Sequence, residues 1–208
     1  MKKLLSIALA LVFLFNSAQI TYATTYENTN PSNQNAVLSI ADPETGEVWE
    51  WEIEIESSTA SSNSAPRQMP SSDLRYSEVN IDISEYLNQT FDYMDRVYDT
   101  KDDDITLEIG LYYYYNPIDN TIRLYNVYGS TSRSDLYYAE NRLVYCTNQF
   151  ANVRQYFYPS SDEWSYATDS SVGNYRSDIP PFARLNCEVH VTGMTAYREV
   201  RVDCSVDV

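Results

Sequence analysis

Trp49-Glu50-Trp51-Glu52-Ile53-Glu54-Ile55-Glu56 alternates strictly between an apolar and an acidic residue. Side chains on an extended chain point to opposite faces in turn, so this pattern builds a strand with one dry face and one wet face. Upstream, Ala36-Val37-Leu38-Ser39-Ile40 is apolar enough for a second strand. Between the two, Ala41-Asp42-Pro43-Glu44-Thr45-Gly46 carries turn chemistry, with Asp-Pro to open and Gly to close. Residues 36–56 are therefore a predicted β-hairpin. A lone hairpin is marginal in water, so it has to lie on a larger sheet.

The same alternation recurs from Leu74 to Val208. Val79-Asn80-Ile81-Asp82-Ile83 alternates. Residues 105–115 and 121–128 read as strands around the turn Asn116-Pro117-Ile118-Asp119-Asn120, and further strands are expected at 143–148, 153–158 and 164–167. Residues 91–98 are ambiguous: Leu87, Phe91, Met94 and Tyr98 have helical spacing, while Phe91, Tyr93 and Val97 share one face of a strand, the reading preferred here. Many short strands broken by turns predict an all-β, antiparallel β-sandwich of Greek-key or jelly-roll type over 74–208. The N-terminal hairpin would join it through residues 57–73, a serine- and proline-rich stretch without aromatics that reads as a flexible linker. The polar, aperiodic residues 24–35 read as a disordered arm.

At the N-terminus, Lys2-Lys3 precede an apolar run from Leu4 to Phe15, and Thr21-Tyr22-Ala23 resembles a small-x-small cleavage site. Residues 1–23 are thus expected to be a cleaved signal peptide, too short in its apolar part for a span of roughly 20 residues. The mature chain is expected outside the cell or in a periplasm, with no membrane insertion. The formal net charge of −16 repels phosphate backbones and argues against nucleic acid as a partner.

Three cysteines in an exported chain suggest one disulfide and one thiol left over. Leu185, Cys187, Val189 and Val191 alternate with polar residues, as do Val200, Val202, Cys204 and Val206. A hairpin around residues 192–196 that pairs Val191 with Val200 would set Cys187 against Cys204, so that pair is the expected bridge. Cys146 bonded to either is the rival pairing. The tyrosine- and valine-rich strands and this late cysteine hairpin resemble small secreted β proteins of Gram-positive bacteria, a likeness that implies no activity.

Groups suited to catalysis are sparse. The one histidine, His190, is out of phase with Val189 and Val191 and should face away from the core. No Gly-x-Ser-x-Gly elbow surrounds a serine. The glutamates of residues 50–56 superficially resemble the Glu-x-Asp-x-x-Glu strand of jelly-roll β-glucanases, but the central Asp is missing. That strand is the candidate site for a glycan-cleaving alternative, which needs two carboxyls about 5–5.5 Å apart for retention. Asp99, Asp102, Asp103 and Asp104 crowd one expected turn and are candidate calcium ligands, without the glycine of an EF-hand. No other cofactor is expected.

Tyrosine is the unusual feature, with 20 in the chain. Tyr112-Tyr113-Tyr114-Tyr115 would set two rings on each face of one strand. Tyrosine offers large, rigid contact area with a polar tip, which suits recognition of protein or glycan. The reading reached from sequence is a secreted, non-catalytic binding module for a protein or glycan ligand. A factor in extracellular competition or the envelope, such as a toxin or inhibitor, is the alternative.

Overall fold

A computed structural model of the chain describes residues 35–59, 74–91, 104–148, 153–168, 172–176 and 180–206. Two antiparallel sheets pack face to face as a β-sandwich. The first holds β1 (Asn35–Ala41), β2 (Val48–Glu54), β7 (Tyr137–Asn148), β8 (Val153–Phe157), β11 (Phe182–Val191) and β12 (Tyr197–Ser205), in the order β2-β1-β12-β11-β7-β8. The second holds β3 (Glu56–Thr59), β4 (Leu74–Asp82), β5 (Thr106–Asn116), β6 (Thr121–Thr131), β9 (Glu163–Ala167) and β10 (Val172–Asn174). Its order is β10-β6-β5-β4-β3, with β9 also paired to β6. The expected signal peptide, residues 24–34 of the expected arm and most of the expected linker lie outside the described residues.

The hairpin is present, and it is part of the sandwich. Ile40 faces Trp49 and Leu38 faces Trp51, while the other edge of β1 pairs with β12 through Leu38–Val202 and Ile40–Val200. Its turn forms as the residues dictate. The Asp42 carboxylate accepts the amide hydrogens of Glu44 at 2.8 Å and Thr45 at 3.3 Å, and Gly46 takes φ 75°. The alternating stretch from Val48 is not one strand, however. It switches sheets at Ile55, and Glu56–Thr59, read from sequence as the last residue of the hairpin and the first three of a linker, pairs with β4 as an edge strand. Strands that change sheet at a bend are how sandwich corners are made.

Both sheets supply apolar rows to one core, including Leu38 and Ile40 from β1, Leu107 and Ile109 from β5, and Val189 and Val202 from the last hairpin. Each such fully buried side chain stabilises by roughly 1.5–3 kcal/mol against its exposed state. Phe157 of β8 stacks on Tyr166 of β9 at 4.6 Å, closing one edge between the sheets.

Between β4 and β5 the chain forms a short helix, α1 (Ser84–Thr90). The Asp82 carboxylate accepts hydrogen bonds from the Ser84 amide and hydroxyl, and Leu87 and Phe91, four apart, enter the core. The helix ends at Thr90 and Phe91 is already extended; residues 92–98, the rest of the stretch read as a strand, lie outside the described ones.

The final hairpin corrects the expected register. His190 pairs with Tyr197, Cys187 with Val200 and Cys204 with Ala183. The shift is four residues, an even number, so both cysteines keep their inward face. They are nevertheless some 13 Å apart along the strands, far beyond the Cα separation of roughly 7 Å that a disulfide tolerates. The expected Cys187–Cys204 bridge does not form. Cys146 and Cys204 flank Ala183 on opposite sides, two strand spacings or about 10 Å apart, and do not meet either. All three thiols are buried and unbonded. β12 starts at Tyr197, and Arg198, in phase with Val200, lies in the inward row. One terminal nitrogen of its guanidinium lies 3.3 Å from the Asp42 carboxylate there and donates to the Thr90 carbonyl oxygen at 2.6 Å.

Candidate binding face

The tyrosine quartet divides as alternation requires, and its outward members lie on the solvent side of the second sheet. Tyr113 is fully buried in the core. Tyr115 packs edge-on against Tyr175 at 6.1 Å, with Arg75 over its ring at 4.8 Å. Tyr112 and Tyr114 point outward, half-buried. Register then brings other strands' rings beside them. Tyr76 of β4 lies 6.3 Å from Tyr112, Tyr128 of β6 stacks on Tyr112 at 4.9 Å, and Tyr125 meets Tyr114 at 6.2 Å. Tyr112 faces Asn126 but Tyr113 faces Leu124, so Tyr125 is the extra residue of a bulge. A bulge re-aims a side chain, here onto the outer face.

Cross-strand pairing arranges this face in rows. One row runs Asn80, Glu108, Ser130, Glu163; the next runs Glu56, Glu78, Gly110, Tyr128, Ser165; the third runs Tyr76, Tyr112, Asn126, Ala167. Gly110 organises the middle row. A Cβ there would overlap the Tyr128 ring, so only glycine lets that ring cross β5. The Tyr128 hydroxyl thereby reaches Glu78 Oε2 and donates to it at 2.6 Å. In the first row the Ser130 hydroxyl donates to Glu108 Oε2 at 2.7 Å. Glu108, Tyr128, Gly129, Ser130, Glu163, Trp164 and Ser165 line a shallow, open depression of roughly 420 Å³. No alternation rule could pair Tyr76, Tyr125 and Tyr128 with the quartet, because they lie on separate strands. A glycine inside the strand at 110 was the sequence signal for a close approach.

Burial, first, then the nearby Glu78 carboxylate hold the Tyr112 hydroxyl above its ordinary value of 10.0. Burial and its bond to Glu78 push Tyr128 far higher, and burial also raises Tyr114 and Tyr145. Burial lifts the thiols from 9.0 to about 11 at Cys146 and about 12 at Cys187, and Cys204 further still. Each of these groups is neutral when protonated. The folded chain therefore keeps protons that the unfolded chain releases above about pH 9, and stability complete below that pH falls as pH rises. We expect the melting temperature to hold near pH 8 and drop steeply between about pH 9 and 11. A melting temperature flat across that window would contradict these burials.

The other expected sites lie apart from this face. Glu50, Glu52 and Glu54 stand exposed along the outer side of β2, with Arg201 3.7 Å from Glu50. Glu56 lies on the other sheet. Asp104 is exposed just before β5, Asp99, Asp102 and Asp103 lie outside the described residues, and no metal-holding cluster occurs among the described residues. His190 faces outward on the first sheet, stacked between Tyr138 and Tyr197 at 5.2 Å on each side, its Nε2 3.4 Å from Glu188. Elsewhere on that face Arg184 makes a two-pronged ion pair with Asp203 and lies over the Tyr145 and Phe182 rings. Comparison with family models, with curated proteins and with solved structures finds no match to this chain.

Proposed function

We propose that this chain is an exported, non-catalytic binding module whose recognition surface is the outer face of the second sheet. One observation carries the reading: five tyrosines from three strands, Tyr76, Tyr112, Tyr114, Tyr125 and Tyr128, gather on one solvent-side face. Tyrosine gives wide contact at low entropy cost, and buried aromatic anchors dominate binding energy at interfaces. The carboxylates, Asn126 and the serine hydroxyls between the rings supply hydrogen-bonding partners. The face is open and shallow, which favours a chain-like protein or glycan over a small molecule, whose sites are concave. Export rests on the N-terminal sequence alone.

The test is a glycan array and a panel of extracellular proteins probed with the full-length chain. The variants are Tyr76→Ser with Tyr112→Ser, and as a control Tyr156→Ser, an exposed ring on the first sheet. The double variant should lose about 2 kcal/mol or more of binding, some thirtyfold, as anchor residues do. The control should bind as the parent does. Loss in the control with retention in the double variant would move the site to the first sheet.

A further inference from the structure

Two arginines of the fold are held both over aromatic rings and beside carboxylates. Arg198 lies 4.1 Å over the Phe91 ring and 3.3 Å from Asp42. Arg184 lies 5.3 Å over the Tyr145 ring and pairs with Asp203 through Nε and a terminal nitrogen. The guanidinium suits this double role because it is planar, always charged and forked, so it stacks on a ring and chelates a carboxylate together.

The three rows on the outer face of the second sheet bring the same two chemistries side by side, with Tyr76, Tyr112 and Tyr128 among Glu56, Glu78, Glu108 and Glu163. Those rows contain no cation; Arg123 stands beyond them, opposite Tyr114. The nearby Arg133 and Arg142 are both drawn to Asp162, at 3.9 and 2.6 Å. The same-side side chains of an extended peptide recur every 6.8 Å or so, which is also the repeat between successive rows of a sheet face.

We infer that this face docks an extended, arginine-bearing protein segment, whose guanidinium groups stack on the tyrosines and pair with the glutamates between them. The inference rests on the binding face proposed above and names the chemistry of its partner. Association is then steered by charge and weakened by salt.

The probe is a short peptide alternating Arg and Ser, titrated by calorimetry into the full-length chain. Three comparison ligands go with it: an alternating Glu and Ser peptide, a Gly and Ser peptide, and an oligomer of unacetylated glucosamine. The arginine peptide should bind, the acidic and neutral peptides should not, and raising salt from about 0.05 to 0.5 M should weaken binding at least tenfold. Glu108→Gln with Glu163→Gln should weaken it about tenfold, as should Tyr76→Ser with Tyr112→Ser, while Glu52→Gln on β2 should change nothing. Equal weakening by Glu52→Gln would reduce the effect to overall acidity and overturn the proposal. Tighter binding of the amino-sugar oligomer would overturn the partner class. No binding of the arginine peptide, with tyrosine-dependent binding of some other ligand in the panel, would overturn this inference and leave the binding face standing.

Discussion

Arg198→Ala should lower the free energy of unfolding by about 3–5 kcal/mol, the range seen when one partner of a buried ion pair is removed. Arg198 is 8 % exposed. It joins three parts of the fold: its own strand β12, the Asp42 turn between β1 and β2, and the end of α1 through the Thr90 carbonyl oxygen. Its removal leaves the Asp42 carboxylate and that carbonyl short of a donor in low-dielectric surroundings. Burial alone would raise the Asp42 carboxyl; the amides of Glu44 and Thr45 and the Arg198 guanidinium outweigh it and hold the group below 3.8. Arg198→Met with Asp42→Asn should recover part of the loss, because the charge left behind causes much of it. Urea unfolding measures all three proteins. A loss below about 1 kcal/mol for Arg198→Ala would show that the network is surface-like.

Gly129→Ala should cost about 3 kcal/mol or more, at the upper end of overpacking. A Cβ at 129 would run into the Glu108 carbonyl oxygen and the Trp164 ring. The first obstacle is backbone of the paired strand, which moves only if the β5–β6 ladder moves with it. Gly110→Ala makes a useful contrast, since the nearest atoms a Cβ there would meet all belong to the Tyr128 side chain. That ring can swing aside at the expense of its bond to Glu78. We therefore expect Gly110→Ala to keep most of the stability and weaken ligand binding, and Gly129→Ala to lower the melting temperature first. The reverse order would mean that β5 and β6 are spaced differently from the arrangement described.

Alternation made the faces of most strands readable, including both cysteine strands and the tyrosine quartet. Pairing was harder, because register depends on partners far away in sequence. Arg198 shows why. It shares the inward phase of Val200, and only the Asp42 turn, 156 positions earlier, makes a charge acceptable in that row. The switch of sheet at Ile55 left no mark, since apolar and acidic residues alternate straight through it. That Tyr112–Tyr115 set two rings on each face was legible; that Tyr112 and Tyr114 are the outward pair came from the structure. Their neighbours Tyr76, Tyr125 and Tyr128 required the strand order, the bulge and the glycine at 110.

The recognition surface is most directly tested by hydroxyl-radical footprinting of the full-length chain, with and without a ligand bound in the panel. Protection confined to Tyr76, Tyr112, Tyr114, Tyr125 and Tyr128, with Tyr138, Tyr145 and Tyr156 unchanged, is the result expected. Protection of the latter three with the former five unchanged would contradict the account.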